Sequence, residues 1–155
     1  MSRLAPHVIV LPSASTPTNG RALKRAVGRL GRVAVIPRGA GAGHPAVALA
    51  RIFRHLPSGP AVIVTAAMTP IAQDTLREAL RTVTTQDVVL GPNEDGGYWL
   101  VGLGRRRRFP SGMFQRVRWS REDMLDDTLA RLPLALLKIE LLAMEDVPRI
   151  GTRRR

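Results

Sequence analysis

The chain has no cysteine. That excludes a disulfide scaffold, a thiolate metal site and a cysteine nucleophile. Aromatic residues are scarce, 4% of 155 residues, so the core has to be built from Ala, Val, Leu and Ile. No apolar run approaches the ~20 residues that a membrane-spanning helix needs. The first residues lack an apolar segment with a small-residue cleavage site, and the expectation is a cytoplasmic protein without membrane contact. Acid is also short: 12 Asp and Glu stand against 24 Lys and Arg, a formal net charge of +12. Nearly all the base is Arg, with Lys24 and Lys138 the only lysines. Such charge raises a polyanionic partner as one reading. Yet Arg105–Arg108 and Arg153–Arg155 read as a loop and a tail, without the interleaved aromatics that stack on bases. A solvated surface is the plainer reading, and nucleic acid is not the expected partner.

What is present fits a soluble globular protein: 45% hydrophobic and 23% charged residues. The length predicts one domain over residues 1–150 and a short basic tail over 151–155, with homo-oligomerisation left open. "HVIVLP" from His7, "RVAVIP" from Arg32 and "AVIVTAA" from Ala61 read as buried strands. "DVVLG" from Asp87, "YWLVGL" from Tyr98 and "LLKIELLAM" from Leu136 add three more. Between them, Leu23, Ala26, Val27 and Leu30 mark one helical face, and Leu49, Ile52, Phe53 and Leu56 a second. Ala72, Leu76, Ala79, Leu80 and Val83 mark a third, with Pro70 in its first turn and Thr69 as its cap. Ser120 and Asp123 resemble a capping box for a fourth helix through Leu125, Thr128, Leu129 and Leu132. The alternation predicts a three-layer α/β/α, Rossmann-like fold with a mainly parallel sheet. In such sheets ligands bind beyond the carboxyl ends of the strands. That edge would carry the loops Ser13–Arg21, Thr65–Pro70 and Gly91–Gly97.

Two glycine-rich stretches are candidates for chemistry. Gly39-x-Gly41-x-Gly43 follows a strand and precedes a helix, but His44 breaks the G-x-G-x-x-G of a dinucleotide loop, so a flexible connection is the better reading. His7, His44 and His55 have no metal-ligand spacing. "LGPNEDGGYWLVGL", Leu90 to Leu103, is more specific. Its two glycines allow a backbone to approach a ligand closely. Its adjacent carboxylates, Glu94 and Asp95, suit a hydrated cation or sugar hydroxyls. An acidic turn with Gly for positive φ explains the same residues, and residue chemistry leaves both open.

The longer stretch "DVVLGPNEDGGYWLVGL" resembles the D-V-V-L-G-P-x-x-D-G-G-Y-Y-L-I-G-L signature of small bacterial GT-A-like transferases. These are known as selenodomain-associated or arsenosugar-biosynthesis glycosyltransferases and belong to the nucleotide-diphospho-sugar transferase superfamily. They are similar to the molybdenum-cofactor and phospholactate guanylyltransferases. Trp119-Ser120 and "DDTLARL" continue the likeness, and "PTNGRALKR" keeps part of the family's P-x-P-G-R-x-K-T-R nucleotide loop. The resemblance implies a reduced GT-A fold that takes a nucleotide or nucleotide-sugar. It places Gly20, Arg21, Arg25, Glu94, Gly96 and Gly97 on the nucleotide side, and Tyr98, Trp119 and Ser120 toward the acceptor. It makes Asp95 the catalytic residue and, with Asp146, a ligand of Mg²⁺ or Mn²⁺.

The departures are as informative. Where the family's third strand ends in an Asp that binds the metal, this chain reads "AAMTP", with Met68 in that place. A thioether is a poor ligand for cations that want hard oxygen donors. The family's later D-V-D-T-P is reduced to "MEDVP", which keeps Asp146. The expected function is therefore a glycosyl- or nucleotidyltransferase-like protein with weak or lost catalysis. A non-enzymatic binding or assembly protein on the same fold is the alternative, and a basic nucleic-acid-associated protein the third reading.

Overall fold

A computed structural model describes residues 5–11, 20–33, 44–65, 70–105, 112–119, 122–132, 138–143 and 150, with the backbone alone at 11, 20–22, 65 and 70–72. Strand β1 (His7–Leu11) leads to helix α1 (Gly20–Val27) and strand β2 (Arg32–Val33). Helix α2 (Pro45–His55), strand β3 (Ala61–Thr65) and helix α3 (Pro70–Thr82) follow. Strands β4 (Val88–Pro92) and β5 (Tyr98–Leu103) come without a helix between them, and then helix α4 (Met124–Ala130) and strand β6 (Ile139–Leu141). The expected strands at 32–37, 61–67 and 136–144 are thus seen over shorter spans, and residues 34–37, 66–67, 136–137 and 144 lie outside the described ones. So do Thr69 and the glycines at 39, 41 and 43.

The six strands form one sheet in the order β2-β1-β3-β5-β4-β6. β1 runs parallel to β2 and β3, and β6 runs parallel to β4. β5 runs antiparallel to both of its neighbours, β3 and β4. The sheet is therefore mixed, and the expectation of a mainly parallel sheet is met in part. The reason is the length of one connection. Residues 93–97 are too few for a parallel crossover, which needs a dozen or more, so the chain must turn straight back. It returns not to an outer edge but into the slot between β3 and β4.

Side chains alternate across the sheet, and each face has its own core. On one face Ile9, Ile63, Leu90 and Val101 pack with Leu49, Ile52 and Phe53 of α2 and Met124 of α4. On the other, Val8, Val62, Val64 and Val89 pack with Leu23, Ala26 and Val27 of α1 and Leu76, Ala79 and Leu80 of α3. This is why β3 is apolar at successive positions: it is covered on both sides. Burying each such Leu, Ile or Phe is worth roughly 1.5–3 kcal/mol. The few aromatics are concentrated. Phe53 stacks on Phe114, Phe114 meets Trp119, and Trp119 meets the edge of Tyr98, at centroid distances of 6.2, 6.1 and 6.2 Å. That buried chain ties α2, residues 112–119 and β5 together.

The helix ends are closed by residues that periodicity does not single out. His44 occupies the N-cap of α2, where its Nδ1 accepts from the Ala46 N–H at 3.2 Å, and Pro45 fills the first helical position. At the other end the Arg105 guanidinium donates to the carbonyls of Leu56 and Pro57 at 2.9 and 2.7 Å. A cation there complements the helix dipole. α4 begins later than a Ser120–Asp123 capping box implies. Asp123 is itself the N-cap residue and makes no side-chain cap bond, while Ser120 lies outside the described residues. The Asp123 carboxylate instead lies 3.3 Å from Arg118. Arg118 also grips Asp127 bidentately, through Nε and an Nη at 2.9 Å each, and its backbone N–H adds a third bond at 3.0 Å.

This grip holds the Asp127 carboxyl down at about 2, chiefly through the Arg118 guanidinium and then its backbone N–H. A folded-state pKa below the ordinary 3.8 stabilises the fold above that ordinary value, and the contribution is lost as pH falls toward the depressed one. Asp127→Asn should therefore lower the melting temperature near neutral pH, and the gap from the parent should close between about pH 4 and pH 2. Melting curves of both proteins across that range check this. A constant gap would mean that the interaction removed is not ionic.

Candidate functional site

The carboxyl ends of β1 and β3 lie side by side, Leu11 in register with Thr65. β4 ends at the same edge, and β5, running the other way, starts there, with Pro92 opposite Tyr98. The segments that follow β1, β3 and β4 therefore all leave from one side of the sheet. The Glu94–Gly97 stretch is on the edge where ligands of open α/β sheets bind. Gly20 and Arg21 belong to the first turn of α1 rather than to the loop before it.

The turn itself is built by Asn93. This residue is buried, and its N–H donates to the Gly97 carbonyl at 3.1 Å. Its Oδ1 accepts from the Gly97 N–H at 3.0 Å, a donor that also reaches Asp95 Oδ1 at 3.1 Å. The Gly96 N–H closes back on the Asn93 carbonyl at 3.3 Å. Gly96 has φ of +90°, and a Cβ there would fall 1.9 Å from the Glu122 carbonyl oxygen. Its own carbonyl accepts from the Leu125 N–H at 2.9 Å, in the first turn of α4. Gly96 is thus explained without a ligand: only a residue lacking Cβ lets the start of α4 seat against the turn. Glu94 and Asp95 are the exposed part of the stretch.

A β-bulge sits beside this turn. Gly91 opposes Leu100 and Pro92 opposes Tyr98, so Trp99 has no partner across the ladder. Its indole lies over Gly91, where a Cβ would come within 3.1 Å of Nε1 and 2.9 Å of Leu100 Cβ. Tyr98, turned to the opposite face, is fully buried, and its hydroxyl is 3.0 Å from Thr128 Oγ1. Burial pushes its pKa well above the ordinary phenol value, against a smaller lowering by Thr128. The indole N–H groups of Trp99 and Trp119 are buried without a hydrogen-bond partner among the described residues.

The structure thus brings Glu94, Asp95, Gly96 and Gly97 together at the carboxyl edge. It places Arg25 exposed on α1 and puts the Tyr98 and Trp119 rings in the core. Ser120, Asp146 and Met68 lie outside the described residues. A divalent cation needs several hard oxygen donors at one point. Among the described residues no three of the His, Asp and Glu side chains converge for a metal. Asp146, which the resemblance makes a second ligand beside Asp95, lies outside them. Sequence reasoning passed over Asn93, whose signal was present: Asn before an acid and glycines favours a turn closed by its own side chain.

A sequence profile for the family described as "Uncharacterized protein conserved in bacteria (DUF2064)" matches residues 7–121. No curated protein matches the chain. Among solved structures, the chain is similar to a "putative nucleotide-diphospho-sugar transferase" from Desulfovibrio desulfuricans G20, with 20% identity and a TM-score of 0.57. The match covers 92% of this chain and 61% of that one, so this chain spans under two thirds of that protein's length. At this identity the likeness shows a shared fold.

The seating of α4 on the turn generates a clear expectation. Gly96→Ala adds a methyl group at a positive φ and drives it into the backbone of Glu122, at a combined cost of roughly 3 kcal/mol or more. Denaturant unfolding measures it. A loss under about 1 kcal/mol, the scale of an ordinary substitution, would mean that Gly96 and Glu122 are not in contact.

Proposed function

The chain belongs to the DUF2064 family, and from that premise we propose that it is a nucleotide-diphospho-sugar-transferase-like protein binding a nucleoside diphosphate or its sugar at the carboxyl edge of the sheet. The observation that supports this best is the turn at 93–97. It presents exposed Asp95 on the edge from which α1 departs with Arg21 in its first turn. In this reading the free amides at the start of α1 and the Arg21 guanidinium take the phosphates, since helix N-termini and planar guanidinium forks both suit them. Arg25, one turn further on, adds charge. Asp95 and Glu94 accept from ribose or sugar hydroxyls. Trp119-Ser120 borders the acceptor side.

The chemistry inherited with such a pocket is glycosyl or nucleotidyl transfer, and in this chain it is weak or lost. In a metal-dependent transferase, Mg²⁺ or Mn²⁺ neutralises the diphosphate. Met68 stands where the hard oxygen ligand is expected, and Asp95 with Asp146 gives too few donors. Binding without turnover is the form of the proposal.

Calorimetry and thermal melting test the pocket. UDP, GDP, CDP or their sugars should raise the melting temperature saturably, by the stability that a ligand confers on the native state alone. Arg21→Ala should weaken that ligand about tenfold or more, since a charge-assisted hydrogen bond contributes ~1.5–3 kcal/mol. No shift with any of them at millimolar concentration would remove the pocket and leave the non-enzymatic assembly protein as the reading. The metal argument has its own test. The parent protein should bind Mn²⁺ weakly or not at all, and Met68→Asp should gain measurable affinity by restoring an oxygen ligand. Tight Mn²⁺ binding by the parent, unchanged in the variant, would show that the metal site lies elsewhere.

A further inference from the structure

The charge of this chain is divided along its length. The first 73 residues hold nine Lys and Arg, from Arg3 to Arg54, and not one acid; all 12 Asp and Glu lie from Asp74 onward. The fold converts this division into a surface. β2 is an edge strand, and the chain enters it through α1 on one face of the sheet and leaves it through α2 on the other. Both helices bury their apolar faces and turn their cations outward. Lys24 and Arg29 are exposed on and just after α1, Arg51 and Arg54 on α2, and Arg32 on the edge strand itself. The nearest acid outside this segment is Asp74 and Glu78, exposed on α3 beside α1, and more gathers around the 93–97 turn and the start of α4. The segment that carries β2 thus presents exposed cations on both faces of the sheet, with no carboxylate of its own to offset them.

We propose that this edge is a sequence-independent binding surface for the phosphate backbone of single-stranded nucleic acid. Net charge alone does not point to such a partner, because spread charge is usually just solvated. Here exposed cations stand on both helices that flank β2 in the chain, one helix on each face of the sheet, and on β2 itself. Guanidinium forks match phosphate oxygens in pairs, and arginine makes up most of the set. A chain of phosphates can pass over the edge from one face to the other, whereas a bilayer lies flat against one face. The surface also lacks the anchors a bilayer would take. Its large exposed apolar residues are Val33 and Val47, among the described ones. The described Phe, Tyr and Trp rings are all buried, so among the described residues only the exposed His44 and His55 of α2 offer a ring, and contact falls mainly to the phosphates.

Fluorescence anisotropy with labelled oligo(U) and oligo(dT) across a salt series tests this. The parent should bind both alike, with log K falling linearly in log salt. Neutralising Arg29, Arg32, Arg51 and Arg54 to Gln should shallow that slope by about 0.7 for each phosphate no longer neutralised, or nearly 3 in all. The control neutralises four cations from the acid-bearing part, Arg81, Arg116, Arg131 and Lys138, all exposed, and so removes the same net charge. It should leave the slope nearly unchanged. Circular dichroism and melting confirm folding; if the fourfold variant fails to fold, the pairs Arg29→Gln with Arg32→Gln and Arg51→Gln with Arg54→Gln are measured separately. An equal fall in affinity for the surface and control variants would overturn the proposal, since binding would then follow net charge and not this edge. Cosedimentation with phosphatidylglycerol vesicles, in the absence of oligonucleotide binding, would overturn it in favour of a membrane surface.

Discussion

The shared Gly97 N–H, held by the side chains of Asn93 and Asp95, is the interaction on which the carboxyl edge depends. It closes a five-residue reversal between β4 and β5. Because the reversal is short, β5 enters the sheet against the direction of its neighbours. Because the turn is compact, Gly96 can receive the backbone of Glu122 and the first turn of α4. The Arg118 grip on Asp127 then fixes that helix to residues 112–119, and the Tyr98 hydroxyl reaches Thr128 from below. One turn thus sets a strand direction, a helix position and the exposure of two carboxylates. Evolution of such a turn is constrained, since a change at Gly96 disturbs three elements at once.

Much of the layering was legible in the sequence. Runs such as "AVIVT" announce strands covered on both faces, and the helical stripes through Leu49, Ile52 and Phe53, or Leu76, Ala79 and Leu80, announce which residues face the sheet. The direction of β5 was legible in principle from the length of 93–97, but its insertion between β3 and β4 was not. Strand order depends on contacts between residues far apart in the chain, and local periodicity carries no record of them. The helix caps were missed for a related reason. His44 caps through its own ring and Arg105 through a reach of nearly fifty residues. No window around Arg105 reveals the carbonyls it serves, whereas His44 serves the Ala46 N–H two residues on and is hidden only because His is not among the favoured N-cap residues.

The candidate site was legible in a different sense. "DGG" stands out because it exceeds what a hairpin needs, and the structure divides that excess. Gly96 answers to packing. Asn93 and part of Asp95 answer to turn closure. What remains unexplained by packing is the exposure of Glu94 and Asp95, and a functional reading should rest there. Tyr98 and Trp119 carry less of it, because rings committed to an aromatic chain in the core can shape a pocket wall only from behind.

Backbone and side chains also differ in how they retain function. A pocket at the carboxyl edge of an α/β sheet is made mainly of chain path: helix N-termini, a reversal, a bulge. These persist as long as the fold does, and the strong likeness of "DVVLGPNEDGGYWLVGL" to a transferase signature covers residues that the fold itself requires. Metal chemistry depends on single carboxylates that contribute little to stability, so it can disappear without cost to the fold. Fold likeness can therefore outlast catalysis, and in the proposed function the two rest on different residues: binding on the turn that builds the edge, and transfer on the oxygen donors of a metal.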